Sequence, residues 1–328
     1  MSFPNRRLRR LRKSQALRRL VAETRLSVDD LVAPLFVREG IDSPIPIPSL
    51  SGVQQHTRQS LVEEVKHLHS LGVPGVILFG IPKQKDPQGS EAWNPEGIVQ
   101  LALQDCRDAI GQDMVLIADL CIDEYTDHGH CGVVGEDGSV DNDQTITIYG
   151  KIAQAQARAG ADIVAPSGMM DGQVRAIRDA LDADNFQEVA ILAYSAKYAS
   201  GLYGPFRDAV DVTIADGGDR KTYQQDWRNG REALAEIRAD EEEGADMIMV
   251  KPGIIYLDII SKIKNNFKIP VLAYQVSGEY SLIKNGIKEK LINEDAIIES
   301  ITAFKRAGAC AIITYFALDI AKRIKSIK

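Results

Sequence analysis

A chain of 328 residues, 45% hydrophobic and 26% charged, can bury a large core without disulfides and suits a single α/β barrel. Its formal net charge of -7 argues against nucleic acid as its partner. No apolar run approaches the ~18 residues of a membrane span, the N-terminus lacks the apolar core of a secretory signal, and four cysteines make no disulfide scaffold, so a reducing cytoplasmic setting is expected.

Residues 1–28 read as a basic arm. Arg6, Arg7, Arg9, Arg10, Arg12, Lys13, Arg18, Arg19 and Arg25 stand there against the single acid Glu23. An arm of this kind can meet RNA or an anionic membrane. Packing on an acidic body, its own or a neighbour's, is the expected use, because only Phe3 could stack on a base.

From residue 29 onward, short apolar runs alternate with longer helical stretches. The runs are LVAPLFV (31–37), GVILFG (75–80), MVLIADL (114–120), DIVAPS (162–167), AILAYS (190–195), MIMVKPG (247–253), VLAYQVSG (271–278) and AIITYFA (311–317). Strands this continuously apolar are buried on both faces, as in parallel sheets. The phrases LGVPG, AGAD, EGAD and RAGAC introduce four of them, and a Gly there caps the preceding helix. Eight such units predict a (β/α)8 TIM barrel spanning 29–328. An open doubly wound sheet is the alternative, but the glycine fingerprint of a dinucleotide fold is missing.

Barrel chemistry sits at the C-terminal ends of the strands. Asp119, Ser167, Lys197, Lys251, Ser277 and Tyr315 fall there. The segment ADLCIDEYTDHGHCGVV (118–134) is the richest. Cys121 and Asp123 are two apart and would point the same way in extended chain, and Cys131 returns ten residues later. Two thiolates and a carboxylate with an open position describe a catalytic zinc, with His128 and His130 as further candidates. Two buried cysteines near a surface turn are the plainer reading.

Lys197 and Lys251 need a reason, because burying an ammonium is costly. Lysine attacks a ketone only as the free amine, and burial and a nearby cation both lower its pKa. Two lysines facing each other across the barrel mouth should each disfavour the other's charge. A glycine-rich stretch at 198–225 follows Lys197 and reads as a lid. It carries Arg207, Arg220 and Lys221, and guanidinium forks suit a carboxylate substrate. After about residue 254 basic residues shift from mostly Arg to mostly Lys, for which there is no physical account.

The motifs YSAKYAS, YGPFRDA, MVKPG followed by YLDI, YQVSGEY and APSGMMDGQVRAIR resemble those of the porphobilinogen synthase family. RRLRR near the start and FKRAGA near the end extend the likeness to nearly the whole chain. The resemblance implies condensation of two 5-aminolevulinate molecules through Schiff bases on Lys197 and Lys251. Lys251 would hold the substrate that binds first, with Ser277 and Tyr315 on its carboxylate. Arg207 and Arg220 would hold the second carboxylate, with Gln224 close by. Asp119 would shuttle protons, with Ser167 as a polar member of the pocket. Glu232 would hold an allosteric magnesium. The arm would embrace a neighbour in a homo-octamer, with no nucleic acid or membrane involved.

The chain departs from the family's pattern at the metal. Zinc-dependent members carry three cysteines in this loop, whereas here Asp123 stands between Cys121 and Cys131. A mixed thiolate and carboxylate site should still hold zinc. Two other readings compete with this one. A class I aldolase would need one lysine and usually a phosphate site. A non-catalytic assembly protein whose arm binds RNA would show salt-sensitive RNA binding.

Overall fold

The computed structural model describes residues 6–215 and 218–326. All eight apolar runs are strands: β1 Leu31–Arg38, β2 Gly75–Ile81, β3 Val115–Leu120, β4 Ile163–Pro166, β5 Ala190–Lys197, β6 Met247–Lys251, β7 Val271–Gln275 and β8 Ala311–Thr314. They are parallel and follow one another round the sheet, and β8 returns to β1 through Leu31↔Ile312 and Val32↔Ile313. The sheet therefore closes into the expected barrel. Closure removes the unpaired edge and buries both faces, which is why the strands read as continuous apolar runs.

Helices cover the barrel outside. They are α2 Arg58–Ser70, α3 Ile98–Ile110, α4 Asn142–Arg158, α5 Gln173–Ala183, α7 Glu232–Glu243, α8 Leu257–Asn266, α9 Ser277–Lys288, α10 Asp295–Ala307 and α11 Ala317–Ser326. The capping glycines behave as their positions require. Gly244 ends α7 at φ 109° and Gly308 ends α10 at φ 122°, and the next strand starts within three residues. Each helix turns its apolar stripe inward; α3 buries Ile98, Val99, Ala102, Leu103, Cys106 and Ile110.

Several runs stop short of their predicted ends. β7 finishes at Gln275, so Ser277 opens α9 instead of extending the strand. β8 finishes at Thr314, which puts Tyr315 in the turn before α11. Four short strands carry no readable pattern. Gln54–His56 adds alongside β1 and pairs antiparallel with Ile45–Pro46; Val133–Val134 pairs with Val140–Asp141.

The arm contributes a 3-10 turn, Leu8–Arg12, and a short helix α1, Gln15–Leu20, with no buried residue in either. Its first five residues, Phe3 among them, lie outside those described. No described helix is long and apolar enough to cross a membrane.

Candidate active site

Lys197 ends β5 and Lys251 ends β6, and the register sets them directly opposite each other. They are neighbours on adjacent strands, not partners across the barrel mouth as the sequence suggested. An irregularity in the pairing makes this possible. Ile248 pairs Ala193, yet three residues further along β6 meet four further along β5. Side chains alternate faces along a strand, so without the extra residue one lysine would point away from the other. The bulge lies at Tyr194–Ser195 and is fastened by Gln225, whose Nε2 donates to the Ser195 carbonyl at 3.2 Å. The Gln225 backbone N–H also donates to the Lys197 carbonyl at 3.0 Å.

Both ammonium groups are buried, Lys197 at 4% exposure and Lys251 at 5%. The Lys251 Nζ lies 4.5 Å from the ring centre of Tyr274, 5.0 Å from those of Tyr194 and Phe206, and 5.6 Å from that of Tyr203. Burial and the neighbouring Lys197 charge push Lys251 down to about 7. Lys197 departs from expectation. Burial favours its neutral form, but Cys131, Cys121 and Asp123 outweigh burial and hold it above the ordinary lysine value. Its Nζ donates to the Ser167 carbonyl. Lys251 is thus the more easily deprotonated of the two lysines.

Asp119, at the end of β3, has its carboxyl pushed up to about 6 by burial, with Lys251 and Lys197 pulling the other way. Its Oδ2 accepts from the Ser167 hydroxyl at 3.1 Å. A carboxyl with a pKa near neutrality beside two lysines can take and return a proton. Two site members escaped the sequence reading. Tyr194 sits between both lysines, with Lys197 Nζ 5.5 Å from its ring centre. Glu124 lines the same cavity, and burial together with Asp123 and Asp119 pushes its carboxyl well up. Tyr194 had looked like core within an apolar run. Glu124's only signal was its place directly after Asp123.

Ligand atoms of Cys121, Asp123 and Cys131 all lie within 4.8 Å of one another, and all three residues are buried. Cys121 and Asp123 do not lie in extended chain as expected, because β3 ends at Leu120. The chain then turns, with the Tyr125 and Thr126 N–H groups donating to the Ile122 carbonyl at 2.9 and 2.8 Å. The turn and the returning loop bring the three together. His128 and His130 stay outside the cluster: His128 contacts the Pro87 carbonyl at 3.1 Å, and His130 contacts the Tyr223 hydroxyl at 3.1 Å. Two sulfurs and a carboxylate in a buried cluster suit zinc better than magnesium, which prefers all-oxygen sites.

Arg220 Nη2 pairs with Asp123 Oδ2 at 2.8 Å and donates to the Gly129 carbonyl at 2.7 Å. Burial weighs against the charge on Asp123, but Arg220 and Lys197 hold its carboxyl well below the usual range. Arg207, half-buried on the short lid helix α6 (Gly204–Ala209), lines the cavity. Lys221 is exposed and pairs with Asp219 instead. The cavity holds about 20 Å³, room for roughly one water, so the cover must move to admit anything larger. Gln55 Nε2 pins that cover by donating to the Ala209 carbonyl at 2.8 Å, and Lys85 Nζ donates to the Asp211 carbonyl at 2.8 Å. Residues 216 and 217 of the cover lie outside those described.

Arg220 Nε and Gln224 Nε2 are buried without a hydrogen-bond partner, and Tyr194 and Asp119 lean on each other. Orphaned buried polar atoms are rare and costly, and two in one cavity wall mark where a polar ligand belongs. Ser277 and Tyr315 are not in this cavity wall. The Ser277 hydroxyl accepts the Phe206 N–H at 2.9 Å, and the Tyr315 hydroxyl lies 3.3 Å from that of Tyr274. They flank Lys251 through its ring neighbours. Glu232 is elsewhere, exposed at the start of α7 and bonded to Asn229 at 3.0 Å.

A closed parallel barrel that gathers two buried lysines, acidic groups and guanidiniums at its strand ends is an enzyme of the (β/α)8 class. The chain belongs to the delta-aminolevulinic acid dehydratase family, whose model matches residues 5–323. It is 52% identical over 327 residues to the delta-aminolevulinic acid dehydratase of Streptomyces coelicolor, covering 99% of this chain and 98% of that one. It is 51% identical over 323 residues to that of Mycobacterium tuberculosis, covering 98% of each. The fold superposes with TM-score 0.95 on a crystal structure of delta-aminolevulinic acid dehydratase (porphobilinogen synthase) from Toxoplasma gondii in complex with the reaction product porphobilinogen. Identity there is 44%, covering 98% of this chain and 92% of that one.

Proposed function

We propose that this enzyme condenses two molecules of 5-aminolevulinate into porphobilinogen, releasing two waters, in tetrapyrrole synthesis. The observation that carries the reading is the register pair Lys197↔Lys251, two buried lysines side by side among unpaired polar atoms. Each amine attacks the ketone of one substrate molecule and expels water as the Schiff base forms. Lys251 is the readier nucleophile, because more of it is neutral at pH 7. Lys197 must first lose its proton, and Asp119 is placed to take it. Asp119 also removes the proton beside the iminium, giving the carbanion that forms the carbon–carbon bond. The carbanion adds to the iminium carbon of the other molecule, whose amine then displaces lysine from the first to close the ring; the second lysine leaves by elimination and a ring proton is lost, which frees both amines and gives the pyrrole. Ser277 and Tyr315 hold the carboxylate of the molecule on Lys251. Arg207, Arg220 and Gln224 hold that of the other, and Ser167 orients Asp119.

Reduction with borohydride in the presence of substrate tests the roles of the lysines. Adducts on Lys197 and Lys251, located by peptide mass spectrometry, are expected. Adducts elsewhere, or none, would sink the assignment.

Cys121, Asp123 and Cys131 are the residues that would hold zinc, which supplies a Lewis acid when bound. Cobalt titration should give a thiolate charge-transfer band that is lost in Cys131→Ser. Removing zinc while keeping magnesium should cost most of the activity; full activity without zinc would contradict the assignment. Glu232 is proposed for an allosteric magnesium, since Asp171 and Glu236 line the same surface hollow. Residues 1–28 are proposed as an assembly arm of a cytoplasmic homo-octamer, 29–328 as the catalytic barrel and 198–225 as its lid. Leu8, Leu11 and Leu20 of the arm are 60%, 50% and 74% exposed, apolar surface that a neighbouring subunit would cover.

A further inference from the structure

The mechanism leaves a buried carboxyl on α9, close behind the Lys251 turn, without a role. Glu279 is 3% exposed and lies in the first turn of α9. Its Oε1 accepts the Ile254 N–H at 2.6 Å. Its Oε2 accepts the Val276 N–H at 2.9 Å and the Gly253 N–H at 3.4 Å. Gly253 and Ile254 form the turn just beyond Lys251, and Val276 directly precedes Ser277. A single carboxyl therefore gathers the backbone of two loops, one carrying the amine and the other the hydroxyl. No charged side chain pairs with Glu279 among the described residues; every bond it accepts comes from backbone.

We propose that Glu279 is a positioning residue that fixes the spacing between Lys251 and Ser277, and so between the Schiff base and the carboxylate clasp of one substrate molecule. The inference rests on the reading of Lys251 and Ser277 given above. A carboxyl serves here because it offers acceptors on two oxygens at once. The isosteric amide keeps one acceptor and turns N–H donors toward N–H donors, so the loops must part. Leaving buried donors unsatisfied costs enough to change an affinity by about tenfold or more. Ser277 also accepts the Phe206 N–H of the lid, so a displaced clasp should loosen the cover as well.

The test is Glu279→Gln in the full-length, metal-loaded enzyme, with KM, kcat and the rate of borohydride trapping at Lys251 measured. KM for 5-aminolevulinate should rise about tenfold, kcat should change much less, and trapping at Lys251 should be slow but complete at high substrate. In a Ser277→Ala background the same change should add little, because both act on one contact. Glu279→Asp keeps both carboxyl oxygens but shortens the reach. It should give the same pattern at smaller amplitude, and it serves if the Gln variant does not fold. An unchanged KM and trapping rate, or a fall in kcat that only tracks unfolded protein, would overturn the inference while the wild type still traps at Lys251. Failure of the wild type to trap there would overturn the underlying reading, and this inference with it.

Discussion

Replacing Lys251 with Met should abolish product formation, with kcat falling by about 10⁴-fold or more, in the range that loss of a covalent nucleophile costs. Met fills a similar apolar volume, so the ring-lined pocket of Tyr194, Tyr203, Phe206 and Tyr274 keeps its packing and the variant stays folded. The wild-type pH profile carries the same information. The reactive form is the neutral amine, and Lys251 is pushed down to about 7 by burial and by Lys197. Only about a tenth is neutral at pH 6 and about nine-tenths at pH 8. The rate of adduct formation at Lys251 should therefore climb with pH and level off above about 7. Lys197→Met removes a cation beside Lys251, so the level point should move upward. A trapping rate that keeps rising toward pH 10 would show an unperturbed lysine.

Asp119→Asn is the second large effect. The amide cannot carry the proton, and general acid–base groups contribute about 10²–10⁴-fold. The Asn side chain can still meet the Ser167 hydroxyl, so binding should be kept and kcat should fall in that range with little change in KM. The wild-type carboxyl is pushed up to about 6 by burial. The base is its ionised form, present above that pH, so the acid limb of kcat/KM should carry a component near 6 that is lost in the Asn variant. A variant with wild-type kcat would remove Asp119 from the chemistry.

The barrel was legible because closure buries both faces of every strand, and double burial leaves an unbroken apolar run. Capping glycines such as Gly244 and Gly308 placed the strand starts for a different reason, the positive φ at a helix end. The two lysines stood out against that apolar background. Their true relation did not, since the extra residue at Tyr194–Ser195 leaves no mark in composition and only pairing with β6 reveals it. Lys197's raised value was equally invisible, because it depends on Cys121, Asp123 and Cys131 folding back toward it through space. Ser277 and Tyr315 were named correctly as residues near strand ends. Their placement on a helix start and a turn follows from β7 and β8 ending early. Glu279 resembles any acidic residue in a first helical turn, and its reach to the Lys251 turn is a tertiary fact.

The most direct test is porphobilinogen formation from 5-aminolevulinate by the purified protein with zinc and magnesium added. Product at a rate that Lys251→Met abolishes is the expected result. A folded, metal-loaded sample that forms no porphobilinogen would contradict the proposed reaction.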